Sequence, residues 1–339
     1  MADSTSAPPR RVARSIDELL TGATERRPFE SSDSKSGSRF ERVVIDGEPH
    51  VLKWSSLDND WTMRSTGDLG YRTVQLWEAG LFDALPPSID HCIVDMALID
   101  VPGRHQDLAL LLRDVGPWLV PEGDSVVPLD QHDTFLVAMA DLHATFWDWR
   151  DDIGLAPLAN RYLELGPSLE LTEEAIGSDA LIPRLVGRGW RELPEVSPTL
   201  ASIVLPLLAE PSPLLRALEA TPSCFVHGNW KFGNLGLQPD GRTILLDFEV
   251  PGEAPPLSEL AWYLALNTAR LPESKEATIE RYRGALEARG IDTAGWWDAQ
   301  VDLCLLGAMV QFAWEKALGG RGAELEWWEA AASAALRWL

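Results

Sequence analysis

The stretch that most narrows the possible folds is HGNWKFGN, residues 227 to 234, followed by Asp247 in LLDFE, residues 245 to 249. Between them, LGLQPDGRTILL holds two short β-type runs joined by Asp240-Gly241. An Asp-Gly pair between such runs is a strong hairpin signal, because glycine takes the positive φ that a tight turn needs. A hairpin there brings Asn234 and Asp247 side by side. An amide oxygen next to a carboxylate suits a hard divalent cation such as magnesium. Phosphoryl transfer also needs backbone donors around the polyphosphate, a lysine on its oxygens and a group that orients the attacking hydroxyl. The chain offers these in order. Ser36, Gly37 and Ser38 lie in a polar Gly/Ser loop, residues 31 to 38, ahead of a second hairpin. Lys53 ends that hairpin's second strand in VLKW.

The surrounding pattern is that of a small sheet followed by helices. Residues 1 to 13 are rich in Ser, Pro and Arg and are expected to be disordered. Ser15 and Glu18 form a capping box ahead of a short helix. FERVVIDGEPHVLKW, from Phe40, reads as two strands around Asp46-Gly47. A helix is expected near Tyr71 to Ala84, then strands at residues 92 to 99 and 107 to 114. After Gly116 the periodicity changes. Phe135, Leu136, Met139, Leu142 and Phe146 share one helical face, and the last ~80 residues repeat that pattern.

Composition bounds the function. The 339 residues, 45% of them hydrophobic, allow two lobes with a sizeable core. A formal charge of −23 repels phosphate backbones, so no nucleic-acid partner is expected, although a cationic ligand is compatible. Cys92, Cys224 and Cys304 show no metal or disulfide spacing, which suits reduced thiols in a cytoplasmic protein. The N-terminus lacks the apolar core of a secretion signal. The most apolar run, from Leu303 to Trp314, is too short to span a bilayer, so no membrane partner is expected.

HGNWKFGN with ILLDFE resembles the catalytic segment of the aminoglycoside phosphotransferase-like kinases, relatives of choline kinases and protein kinases. Their pattern is His-Gly-Asp-x-x-x-x-Asn, then Ile-Asp-x-Glu or Asp after a short hairpin. His227, Gly228, Asn234, Asp247 and Glu249 match it. LLLRDVG resembles the hinge strand between lobes, MADLHATFW a helix of the larger lobe, and PPLSELAWYLA the segment after the metal site, with Glu259 where an Asp is usual. The resemblance spans roughly residues 30 to 270. It implies an α+β, bilobal protein-kinase-like fold, with a small β-rich N-lobe (14–115) and a larger, mainly helical C-lobe (116–339). It implies ATP or another NTP as cofactor, with Mg2+ on Asn234, Asp247 and Glu249. Nucleotide contacts are then expected from Ser36, Gly37, Ser38, Lys53, Arg113 and Asp114. Glu78 is the candidate for the family's helix glutamate that pairs with the lysine. His227, Asn229 and Lys231 are the implied catalytic residues, and the partner is a small hydroxylated acceptor.

Asn229 departs from the pattern. Where the family has an Asp that accepts the hydroxyl's hydrogen bond, this chain has an amide. An amide oxygen still accepts that bond but is no base at neutral pH. General-base help is typically worth ~10²–10⁴ in rate. Three readings stay open: a small-molecule phosphotransferase, a nucleotide-binding pseudokinase with a regulatory role, and an altered reaction such as nucleotidyl transfer. The charge of Lys231, two residues on, would be of little use at a dead phosphate site.

Overall fold

Asp46 and Gly47 both take positive φ, 51° and 85°. They close a two-residue hairpin of the twist-matched type in the computed structural model, which describes residues 10–30 and 35–339. The first part of the chain contains α1 (Ile16–Leu19), β1 (Ala23–Phe29), β2 (Arg39–Ile45), β3 (Glu48–Ser55), α2 (Trp61–Thr66), α3 (Arg72–Glu78), β4 (Ile89–Asp90), β5 (Ile93–Ile99) and β6 (Asp107–Arg113). An antiparallel sheet runs in the order β1-β2-β3-β6-β5. Side chains on a strand alternate between faces. Leu52 and Trp54 therefore pack with Leu19 of α1 on one face, and Lys53 between them points to the other. Ser15 caps α1 by accepting from the Glu18 N–H at 3.2 Å, as its capping box predicts.

Three local features differ from expectation. Strand β1, ATERRPF, is exposed at six of its seven positions and carries Pro28, so it has no apolar alternation to read. It is an edge strand, where charge and proline protect unpaired backbone from other chains. The helix expected from Tyr71 to Ala84 breaks after Glu78, because Gly80 turns left-handed at φ 72° before a short 3₁₀ turn over Leu81–Ala84. Of the expected disordered segment, residues 1–9 lie outside the described residues, but residues 10–13 are ordered. The Ala13 N–H donates to Met96 O at 2.8 Å along β5.

The rest of the chain is mainly helical: α4 (Leu129–Thr145), α5 (Leu158–Leu163), α6 (Leu169–Ala175), α7 (Leu181–Val196), α8 (Pro198–Ala209), α9 (Ser212–Glu219), α10 (Pro256–Asn267), α11 (Lys275–Glu287), α12 (Trp297–Gly319) and α13 (Ala323–Ala335). Four short strands interrupt it: β7 (Cys224–Val226), β8 (Leu235–Leu237), β9 (Thr243–Leu245) and β10 (Gly252–Ala254). Helix α12 is buried on every face from Leu303 to Trp314 because it is central, packing against α7, α8, α10 and α13. No single helix among the described residues is long and apolar enough to cross a membrane.

The two parts are tied together at several points. Strand β4 leaves the first part to pair in parallel with β9. The carboxylate of Asp90, 4% exposed, accepts from Arg113 of β6 and from Gln238 Nε2 at 2.7 Å. Arg64 of α2 meets the buried Glu173 of α6 in a two-pronged ion pair.

Candidate functional site

Two short strand pairs build the base of the site. Strand β7 pairs with β10, so Val226 faces Gly252. Strand β8 pairs with β9, so Leu235 faces Leu245. Residues 227–234 and 246–251 are therefore held at one edge. Leu246 N–H donates to Asn234 O at 2.9 Å, which leaves Asp247 one residue away. Asp247 takes a left-handed φ of 71°, a backbone state unfavourable for a residue with a Cβ. Such strain persists only where the surroundings impose it, and it is concentrated at functional sites.

The first part of the chain reaches this edge through Lys53. Its Nζ donates to Asp247 Oδ1 at 2.6 Å and to Glu249 Oε1. The other Asp247 oxygen, Oδ2, accepts from Asn229 Nδ2 at 2.8 Å. Asn234 Nδ2 in turn donates to Asn229 O at 2.9 Å. Lys53, Asn229, Asn234, Asp247 and Glu249 thus form one connected cluster. Burial opposes charge on Asp247, but Lys53 and then Lys231 outweigh it and hold the carboxyl well below its usual range. Glu249 goes the other way, pushed up to about 8 by burial and by the Asp247 charge. Two carboxylates sharing one ammonium cannot both keep their ordinary affinity for a proton. Desolvation works against the Lys53 charge, yet its two carboxylate partners raise its pKa.

Asn234, Asp247 and Glu249 offer an amide oxygen and two carboxylates, a donor set that fits a hard cation such as magnesium. Among the described residues no group of three or more His, Cys, Asp or Glu is gathered for a metal. The set therefore depends on the Asn234 amide.

Other sequence-predicted residues fall elsewhere. Glu78 is exposed at the end of α3, and Lys53 has Asp247 and Glu249 as partners instead. What α3 sends to the site comes from its first turn. Arg72 Nη1 donates to Glu249 O at 3.3 Å and Thr73 Oγ1 to Phe248 O at 2.8 Å. A glutamate six positions further along the helix cannot share that face.

His227 is fully buried and does not line the cluster. Its Nδ1 accepts the Asn229 N–H at 3.2 Å, so the ring orients the loop backbone rather than meeting a substrate. Burial lowers its pKa to about 4, which keeps it neutral. Glu259 anchors the same loop, accepting from His143 Nε2 at 3.0 Å, from the His227 N–H at 3.2 Å and from the Gly228 N–H at 2.5 Å.

Arg113 is engaged by Asp90 at the junction between the parts, and Asp114 accepts from Arg42 of β2 at 3.5 Å within the first part, so neither joins the Lys53 cluster. Of the Gly/Ser loop, residues 31–34 lie outside the described residues. Ser36 and Ser38 are fastened down. Trp61 N–H donates to Ser36 O at 3.2 Å, and Ser38 Oγ donates to Asp60 Oδ2 at 3.2 Å. Gly37 is required there, because a Cβ would lie 2.3 Å from Asn59 O.

Asp60 is the acidic residue that sequence reasoning missed. It is fully buried, caps α2 by accepting from Thr62 and Met63 N–H, and lies within range of the charges on Lys53 and Asp247. Its position just ahead of Trp61-Thr62-Met63 is a helix-cap signal, worth about 1 kcal/mol. Nothing in that signal points to the site.

No family model matches this chain, and no curated protein matches it in sequence. Solved structures do. A microcompartment-associated aminopropanol kinase is 15% identical with a TM-score of 0.52, covering 92% of this chain and 90% of its own. The choline kinase LicA from Streptococcus pneumoniae is 11% identical, TM-score 0.49, over 95% and 96%. Aminoglycoside 2'-phosphotransferase-IIIa, solved with GDP, is 13% identical, TM-score 0.48, over 94% of each chain. What the likeness to the aminopropanol kinase shows is architecture: this chain shares its α+β fold, an antiparallel sheet followed by a larger helical part.

Proposed function

We propose that this chain is a nucleotide-dependent phosphotransferase acting on a hydroxyl of a small molecule. The observation that carries the reading is the meeting of Lys53, from the sheet, with Asp247, from the hairpin, at 2.6 Å. In this reading Lys53 binds phosphate oxygens of ATP or another NTP, and Asn234, Asp247 and Glu249 hold magnesium. The ion, when bound, neutralises charge on the phosphates. Asn229 gives its amide hydrogen to Asp247, so its carbonyl oxygen is left to accept from the acceptor hydroxyl. Lys231 adds positive charge beside Asp247. Transfer through a loose transition state relies more on positioning and electrostatics than on early proton removal, so an amide in place of a base is compatible with slow turnover. The acidic surface suits a cationic acceptor, and an aminopropanol kinase has this fold. The three buried, free cysteines are in keeping with a cytoplasmic setting.

One observation favours a second reading, nucleotide binding without turnover. Both Asp247 oxygens are already engaged, one by an amide that an aspartate at position 229 would not supply. Nucleotide consumption with a panel of hydroxylated amines and sugars, with the products identified, separates the two readings. The phosphotransferase reading expects a phosphorylated acceptor, lost at least about a hundredfold in Asp247→Ala with the fold retained. Full turnover in Asp247→Ala removes the metal assignment. No turnover in either the wild type or Asn229→Asp leaves the binding reading. A faster Asn229→Asp marks a lost base, and a slower one marks a positive role for the amide.

A further inference from the structure

Arg161, on α5, is 2% exposed although nothing in its sequence context sets it apart from a solvated helix residue. Its guanidinium donates to two carbonyls, Nη2 to Gly228 O at 3.0 Å and Nη1 to Val250 O at 3.1 Å. Gly228 immediately precedes Asn229, and Val250 immediately follows Glu249. One cation therefore grips both segments that carry the cluster, just beyond where the β7–β10 pairing ends at Val226 and Gly252. The fit leaves no spare room. Gly228 has φ +86°, and a Cβ there would stand 2.0 Å from Val250 O and 2.1 Å from Arg161 Nη1. Arg161 is itself held. It lies 5.6 Å from the centre of the Trp262 ring, and its backbone carbonyl accepts from Gln311 of the central helix α12.

From the other side, Arg72 of α3 grips Glu249 O. Glu164, 7% exposed and with one buried oxygen lacking a hydrogen-bond partner, faces the charges of both Arg161 and Arg72. A planar fork with fixed donors suits two carbonyls at once, and a lysine ammonium does not reproduce it.

We infer that Arg161 is a positioning residue of the transfer site, a clamp that sets the separation between Asn229 and the Asp247–Glu249 segment. This rests on the phosphotransfer reading for its consequence but not for its existence. The test uses full-length wild type, Arg161→Lys and Arg161→Met. It measures steady-state turnover on an acceptor found active and amide hydrogen exchange in the absence of substrates. The expected result is a fall in kcat of about tenfold or more with both KM values within about threefold, as for a group that acts on geometry. Exchange should speed up at residues 227–231 and 248–252 while the amides of α12 stay protected. Arg161→Lys serves if Arg161→Met does not fold. Wild-type exchange at both segments in Arg161→Lys overturns the clamp, as does loosening spread evenly over the helical part. A wild type inert towards every acceptor overturns the phosphotransfer reading instead, and localised exchange in the variants then still upholds the clamp.

Discussion

The two Asp-Gly hairpins carry the same turn signal and do different work. Asp46-Gly47 closes a two-residue turn between strands of seven and eight residues, and both turn residues have positive φ. At Asp240-Gly241 only the glycine does, at 90°, within a loop over residues 238–242 that links strands of three residues. The first hairpin is part of a five-stranded sheet and would keep its register without the site. The second has little sheet to hold it, and its open end is fixed by Lys53, Asn229 and the arginines Arg72 and Arg161. A turn signal specifies a reversal of the chain. Whether that reversal becomes scaffold or site depends on what reaches its open end.

Three changes sharpen this contrast. The largest effect is expected from the residue that ties the hairpins together. Lys53→Met leaves the buried Asp247 carboxylate without its ammonium, beside Glu249, which burial and the Asp247 charge already push towards the neutral form. Breaking a buried ion pair from one side costs roughly 3 kcal/mol. Denaturant unfolding at pH 7 should show that loss, and Lys53→Met with Asp247→Asn should recover much of it. A loss below about 1 kcal/mol would mean the cluster contributes little to holding the parts together.

A smaller effect is expected at the foot of the second hairpin. His227 has its pKa lowered to about 4 in the fold, against an ordinary value of 6.5. The unfolded chain therefore binds its proton first as pH falls. The stability His227 contributes is present above 6.5 and is lost between 6.5 and about 4. Between pH 7 and 4.5 the wild type should lose about 2 kcal/mol more than His227→Gln. Parallel losses in the two proteins would show that the imidazole is not kept neutral by burial.

The smallest effects are at the turns themselves. Neither Gly47 nor Gly241 has atoms within 4 Å of an added Cβ, so alanine at either meets only the backbone cost of positive φ, about 1 kcal/mol. Gly47→Ala should therefore show that loss in denaturant unfolding with turnover unchanged. Gly241→Ala should show a similar loss together with reduced turnover, because Asn234 lies one residue before β8 and Asp247 two residues after β9. Equal turnover in the two variants would mean the second hairpin is as firmly held as the first.

The sequence by itself determined the two hairpins, the helical character of the C-terminal part and the adjacency of Asn234 and Asp247. Each rests on residues a few positions apart, where turn chemistry and periodicity act directly. The placement of Lys53 facing away from Leu52 and Trp54 follows from the same alternation. Tertiary structure decided the rest. Lys53 pairs with Glu249 rather than Glu78, His227 is buried behind its loop, and Asp60, Arg72 and Arg161 surround the cluster. Arg161 and Gly228 are 67 residues apart and Arg72 and Glu249 are 177 apart, and no periodicity links positions so distant. Charged residues such as Arg161 and Glu164 look alike in sequence whether solvated or buried. The difference arises only when helices close over them, and there each charge needs a partner because water no longer supplies one.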